Sequence, residues 1–267
     1  MSRIGIEGMR AAGDDLLGVA AQLTEDQWRA PSAAAGWSVQ DVVIHVGSLL
    51  ELLQAAVAGA ESPPLGIEKL NDEVVAQRRG WARSQTVDFL RDQLGAALTT
   101  FTALQDEPVA STAVPMLDLG SYPLHSIADM FSFDITTHLH YDILATRGPI
   151  RLPVPPLDEV RLAPSVAWLL GGITQMQPEL ADHLLAPIGL RLNGPGARNV
   201  VLTRGGRGAA VEVSDRDDTT TAVAATVTST TEHFLAWSTQ RLPWSGLVSI
   251  DGNRHVAEQF LNALNLI

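Results

Sequence analysis

The chain contains no cysteine in 267 residues. That excludes a disulfide framework, a thiolate metal site and a cysteine nucleophile. Any thiol chemistry here must use a thiol that arrives as a co-substrate. Positive charge is also scarce: 18 Lys and Arg stand against 30 Asp and Glu, a net charge of −12. With no Lys/Arg cluster, the sequence argues against a phosphate-tracking nucleic-acid binder and against docking on an anionic membrane. The acidic surplus is a solubility feature and names no partner. No apolar run of bilayer-spanning length stands out. The opening residues, Met1-Ser2-Arg3-Ile4-Gly5-Ile6-Glu7, lack an apolar signal core and a cleavage site, so a soluble cytoplasmic protein is expected. There is no internal repeat and no low-complexity tract. What the chain does have is 46% hydrophobic residues, enough for a packed core, in a length that suits one large domain or two modest ones.

The fold expected is α+β, a four-helix bundle followed by a small α/β domain. Apolar residues at helical spacing (Met9, Leu16, Leu17, Val19, Ala20, Leu23) predict a helix over 8–23. Ser38 with Asp41 three residues on is a capping-box pattern, which starts a second helix near 39 and runs it to about 58. A long polar–apolar pattern over 71–104 predicts a single third helix. Ser126 with Asp129 repeats the cap signal and predicts a fourth helix to about 146, ended by Gly148-Pro149. Four long helices with modest loops suggest an antiparallel bundle, whose interior is a usual place for metal sites. Pro149, Pro153, Pro155 and Pro156 mark a linker. The boundaries are 1–148 for the bundle, 149–164 for the linker and 165–267 for the α+β domain. In that last part a helix is expected over 165–185 and strands over 189–192, 199–203, 209–213, 222–228 and 247–250. Ser229 or Thr230 caps one helix, and another covers 255–264.

Three residues in the bundle draw attention as metal ligands. Asp134 and His138 stand four apart, on one face of the fourth helix. His45 lies in the amphipathic second helix. Two nitrogens and one oxygen leave a fourth position open around a divalent ion, as catalytic zinc sites require. By spacing alone the pair Asp134/His138 reads equally well as an ordinary helix-surface pair, and His45 as a satisfied core histidine. The same donor set also suits nickel, iron or cobalt. Asp41 is explained by its capping position. Asp142 shares the His138 face, either bonding an imidazole N–H or ending the helix as a solvated carboxylate. His140 falls on nearly the opposite face and is expected at the surface or an interface. His125 precedes the fourth helix in a loop; His183, His233 and His255 carry no signal. Trp28 and Trp37 are expected to pack in the core. Gly205-Gly206-Arg207-Gly208 lacks the Gly-Lys-Ser/Thr ending of a phosphate loop and reads as a β-turn.

The stretch Trp28-Arg29-Ala30-Pro31-Ser32, followed by Gly36-Trp37-Ser38-Val39-Gln40-Asp41-Val42-Val43-Ile44-His45-Val46, resembles the N-terminal signature of the mycothiol-dependent maleylpyruvate isomerase family. That domain belongs to the DinB-like metal-binding four-helix bundles. The second motif of the family, a carboxylate four residues before a histidine and an aspartate four beyond it, is matched by Asp134, His138 and Asp142. The C-terminal part resembles the family's sterol-carrier-like α/β domain through Gln240-Arg241 and Asp251-Gly252. The resemblance implies that His45, Asp134 and His138 hold a divalent metal, zinc being the expected ion, and that mycothiol is the thiol co-substrate. It implies that Arg241 faces an inter-domain cleft and binds the anionic substrate or thiol. The chemistry implied is thiolate addition to an activated double bond, rotation and elimination, or S-transfer where the sulfur stays on the product. Two departures stand out. The family usually has glutamate where this chain has Asp134, and often an arginine where it has Phe131. Two other readings stay open: a metalloenzyme on this scaffold that works without a thiol, and a non-catalytic small-molecule binding protein. Exposed helix faces in such bundles often pair, which makes a homodimer an open expectation.

Overall fold

The computed structural model describes residues 3–61, 64–206, 210–218 and 220–266. The β-turn expected over 205–208 and the first residue of the strand expected at 209 fall partly outside them. The chain divides into two compact units, Met1–Asp118 with Tyr122–Pro156, and Leu119–Ser121 with Leu157–Ile267.

The first unit is helical. Its main helices are α1 (Ile4–Gln22), α3 (Val39–Val57), α5 (Arg83–Ala103) and α6 (Ile127–Thr137), with a short α2 (Glu25–Arg29) and α4 (Ile67–Arg78) between them. The capping box at Ser38 and Asp41 forms as expected: the Ser38 hydroxyl accepts from Asp41 N and the Asp41 carboxylate from Ser38 N. The expected helix over 71–104 is two helices. Gly80 disfavours helix, and Trp81 turns out of it to stack edge-on against Phe89 and under the Arg78 guanidinium. A single helix of that length would also run to about 50 Å, against about 28 Å for a 19-residue partner such as α1.

Direction, too, departs from expectation. Gln40 bonds Thr86, Gly47 packs on Phe89, and Gln54 bonds Gln93, so α3 and α5 run parallel. Arg83 caps the carbonyls of Ala20 and Ala21 while Arg3 pairs with Asp106, so α1 runs against α5. Gly5 meets Asp129 and Phe101 stacks on Phe131, whereas Asp134 meets His45, so α6 runs with α1. The order is up-down-down-up, and α4 is the crossover that returns the chain so α5 can start beside the start of α3.

The Ser126 cap fails. Ser126 is helical (φ −80°, ψ −6°), because a 3-10 turn over Leu124–Ser126 leads straight into α6, and its hydroxyl donates to Pro123 O instead. The helix then continues as a π-helical turn over His138–Ile143 and stops at Leu144, short of the expected 146.

α3 also corrects the reading of the apolar runs: its 19 residues, with a mean hydropathy of 1.2, are long and apolar enough to cross a membrane. Here it is the central helix of the bundle, with Asp41, His45 and Ser48 buried along it.

The second unit is a small α/β domain. Its helix α7 (Glu159–Ile173) starts inside the expected linker, where Asp158 accepts from Arg161 N. Pro178 separates it from a short α8 (Leu180–His183), so the helix expected over 165–185 is broken. Strands β1 (Ile188–Asn193), β2 (Arg198–Arg204), β3 (Val211–Asp215), β4 (Ala225–Thr230) and β5 (Val248–Gly252) form one sheet in the order β3-β2-β1-β4-β5. Only the β1–β4 pair is parallel, Ile188 facing Ala225. Thr230 caps α9 (Thr231–Ser238) and Asn253 caps α10 (Arg254–Ala263).

Candidate metal centre

His45 sits in the second turn of α3, fixed in register by the Ser38 cap. Asp134 and His138 leave α6 on one face, four apart. The result brings the three together: one ligand atom from each lies within 4.8 Å of the others, and all three side chains are largely buried. Asp134 Oδ1 stands 3.4 Å from His45 Nε2 and 3.5 Å from His138 Nε2. These separations are long for hydrogen bonds, which cluster near 2.9 Å. They match the edge of a tetrahedron around an ion bound at about 2.0–2.1 Å, which is about 3.3–3.4 Å. The donor set and its spacing therefore fit a divalent metal.

The two imidazoles are held differently. His138 Nδ1 lies 2.9 Å from Asp142 Oδ2, so the N–H is on Nδ1 and the Nε2 lone pair faces Asp134. Asp142 is buried, which decides between its two sequence readings. Arg147 donates to its other oxygen and to Tyr141 O. His45 Nδ1 is buried and makes no hydrogen bond within the protein. Its ring is held by packing instead, with Trp37 at 4.9 Å and His138 edge-on at 4.9 Å between centroids. Trp37 is thus no core residue: half-buried, it covers both imidazoles, and its indole N–H donates to Asp72 of α4. Ser48 and Thr137, beside the triad in the chain, carry buried hydroxyls with no protein partner.

Other expectations resolve as follows. Asp41 is occupied by the cap and by Arg79 Nε, 3.2 Å from both its oxygens. Phe131, where the family often has arginine, is fully buried and stacked on Phe101 at 5.6 Å. His140 is buried rather than at the surface. His125 Nδ1 bonds Ala110 O and is not in the cluster. Arg241 follows α9 in the second unit, half-buried. A cavity of about 790 Å³ opens by the first turn of α3, lined by Arg29, Arg79, Arg83, Gln40 and Trp81 among others, and no triad residue lines it.

Sequence reasoning missed Trp37, Asp72 and Arg147. Trp37 had a signal, since it directly precedes the cap that sets the register of His45. Arg147 had none, because its place depends on a π-helical turn.

One end of a helical bundle gathering two imidazoles and a carboxylate is a candidate metal-binding domain. Residues 9–140 match the family model described as the Mycothiol maleylpyruvate isomerase N-terminal domain, and this stretch is a domain of that family. All three triad residues fall inside it. A crystal structure of the mycothiol-dependent maleylpyruvate isomerase is 16% identical with a TM-score of 0.57, covering 92% of this chain and 91% of that one. A histidine-to-alanine mutant of that isomerase gives a TM-score of 0.56 at the same identity and coverage. At that identity the likeness is one of fold. A solution structure of sterol carrier protein domain 2 from Helicoverpa armigera covers 33% of this chain and 78% of that one, at 16% identity and a TM-score of 0.26. No curated protein sequence matches at a significant level.

Proposed function

We propose that this chain is a thiol-dependent metalloenzyme that adds mycothiol to an electrophilic small-molecule acid, leading to cis–trans isomerisation or S-transfer. The observation that carries it is the convergence of His45 Nε2, Asp134 Oδ1 and His138 Nε2 inside a domain of this family. These three side chains would hold a divalent ion, most simply zinc. Bound there, such an ion would lower the pKa of a thiol and so supply a thiolate near neutral pH.

The rest is done by the chain's own groups. Asp134 provides the one negative charge of the ligand set. Asp142 keeps His138 in the tautomer whose Nε2 is free to bind. Trp37 covers the imidazoles and limits water at the centre. Arg241 is assigned to the anionic end of the substrate on the resemblance. The absence of any cysteine agrees with a borrowed thiol.

The test is elemental mass spectrometry on untagged protein, wild type against His138→Ala, followed by turnover of maleylpyruvate-like acids with and without mycothiol, read as cis–trans conversion of the acid for isomerisation and as thiol consumption for S-transfer. About one metal per chain, lost in the variant, and turnover that needs both metal and mycothiol are expected. A wild type that neither carries nor takes up zinc would overturn the metal centre. Turnover undiminished without mycothiol would overturn the thiol step.

A further inference from the structure

The triad explains three residues, but it leaves a buried aspartate and a surface arginine that the ligand set does not use. Asp142 is 1% exposed. A carboxylate at that depth is stable as an anion only with strong partners. It has two, on different oxygens. Oδ2 accepts from His138 Nδ1 at 2.9 Å, and Oδ1 accepts from Arg147. Arg147 itself keeps 30% of its side chain in solvent, so it joins the buried carboxylate to the outside.

The local backbone is shaped to allow this. Had α6 continued as an ordinary helix, residue 147 would lie about 140° around from residue 142, on another face. Instead the π-helical turn ends at Ile143 and the chain doubles back. Ile150 N bonds Ile143 O at 3.0 Å, Ala145 N bonds Ile150 O at 2.7 Å, and Gly148 N bonds Leu144 O at 2.8 Å. A Cβ on Gly148 would stand 2.3 Å from the Ile143 carbonyl, so the return is that tight only because residue 148 is glycine. The return is what brings the Arg147 guanidinium to Asp142 and to the Tyr141 carbonyl, 3.2 Å away.

We propose that Arg147 is a positioning residue of the centre: by holding Oδ1 of Asp142 it fixes the carboxylate plane, so that Oδ2 locks His138 with Nδ1 protonated and Nε2 aimed at Asp134. The proposal rests on the reading of the triad as a metal centre. Without Arg147 the carboxylate is free to rotate. That releases the imidazole to the other tautomer, in which Nε2 carries hydrogen and cannot bind a metal. His45 has no hydrogen-bonded brace of this kind and is held by ring packing, so among the described contacts this chain is the one that fixes an imidazole tautomer.

The experiment uses the full chain with Arg147→Gln and Arg147→Lys. Zinc affinity is measured by competition with a chromogenic chelator, and thermal unfolding is followed on metal-free protein. The Gln variant is expected to bind zinc roughly ten- to a hundredfold more weakly, the range for groups that orient metal ligands. The Lys variant recovers most of the loss; the metal-free melting temperature of the Gln variant falls, because the buried carboxylate loses a partner, but the metal-free protein is still folded at the temperature of the titration. Gln binding zinc within twofold of wild type overturns the proposal. So does a loss matched by metal-free unfolding that Lys does not repair, which marks a purely structural role. ¹⁵N NMR of His138 in metal-free protein separates this from failure of the metal reading. If wild type binds no zinc, a single Nδ1–H tautomer that becomes a mixture in Gln still sustains the positioning role. A tautomer unchanged in Gln overturns it.

Discussion

Asp129 is the group whose behaviour the packing defines most sharply. It lies in the first turn of α6 with its Oδ1 against Gly5, so close that a Cβ there would stand 2.2 Å away. Desolvation by α1 raises its pKa from 3.8 to about 7. The folded value exceeds the unfolded one, so between about pH 4 and pH 7 the native state holds a proton that the unfolded state has lost. Stability must therefore fall as pH rises through that window, by up to 1.36 kcal/mol per pH unit, and level off above it. The shift of about 3 units sets a ceiling of ~4 kcal/mol, reduced by the solvent that still reaches this half-buried side chain. Asp129→Asn keeps the shape and cannot ionise. Urea unfolding of both proteins from pH 4 to pH 8 should give near-equal stability at pH 4 and a more stable variant at pH 8, by about 1–4 kcal/mol. Groups common to both cancel in the difference. A difference that is flat with pH would refute burial as the cause.

Three further outcomes follow from the centre. Gly148→Ala places a methyl against the Ile143 carbonyl, so it should destabilise by about 1–3 kcal/mol and weaken zinc binding as Arg147→Gln does, both read by urea unfolding and chelator competition. Trp37→Phe keeps a ring over His45 but loses the bond to Asp72, a loss of about 0.5–1.5 kcal/mol by urea unfolding. Trp37→Ala should cost more and also raise the rate of zinc release to a chelator.

The triad was legible because each step was local. The Ser38–Asp41 cap fixes where α3 begins, which sets the face of His45, and four-residue spacing puts Asp134 and His138 side by side. Helix direction was not legible. Periodicity along 71–104 records a buried stripe but not the reversal at Gly80-Trp81, and without that reversal α3 and α5 cannot run parallel. The Ser126 cap misled because a side-chain cap needs extended backbone at the capping residue, and the preceding 3-10 turn had already made Ser126 helical. Trp37 was read as core because an indole beside an apolar helix usually is; only the fold sets Asp72 and two imidazoles around it. His140 was put at the surface or an interface on ideal helical spacing, but in the π-helical turn it is buried within the chain.

The substitution that tests the spacing of the centre most directly is Asp134→Glu, toward the residue the family usually has. Here the aspartate already reaches: its Oδ1 is 3.4 and 3.5 Å from the two imidazole nitrogens. A further methylene adds about 1.5 Å of reach. To use it, α3 and α6 would have to move apart, and the residues flanking the ligands, Ile44, Val46 and Ile135, are fully buried and resist that. The glutamate must instead fold back into a poorer rotamer, at about 0.5–1.5 kcal/mol, which weakens zinc affinity about two- to tenfold. Asp134→Asn, which keeps the length and removes the charge, should lose much more. The two variants thus separate reach from charge in one chelator competition. Tighter binding by the glutamate variant would mean that the helices relax freely around the centre, and that their packing does not set which carboxylate fits.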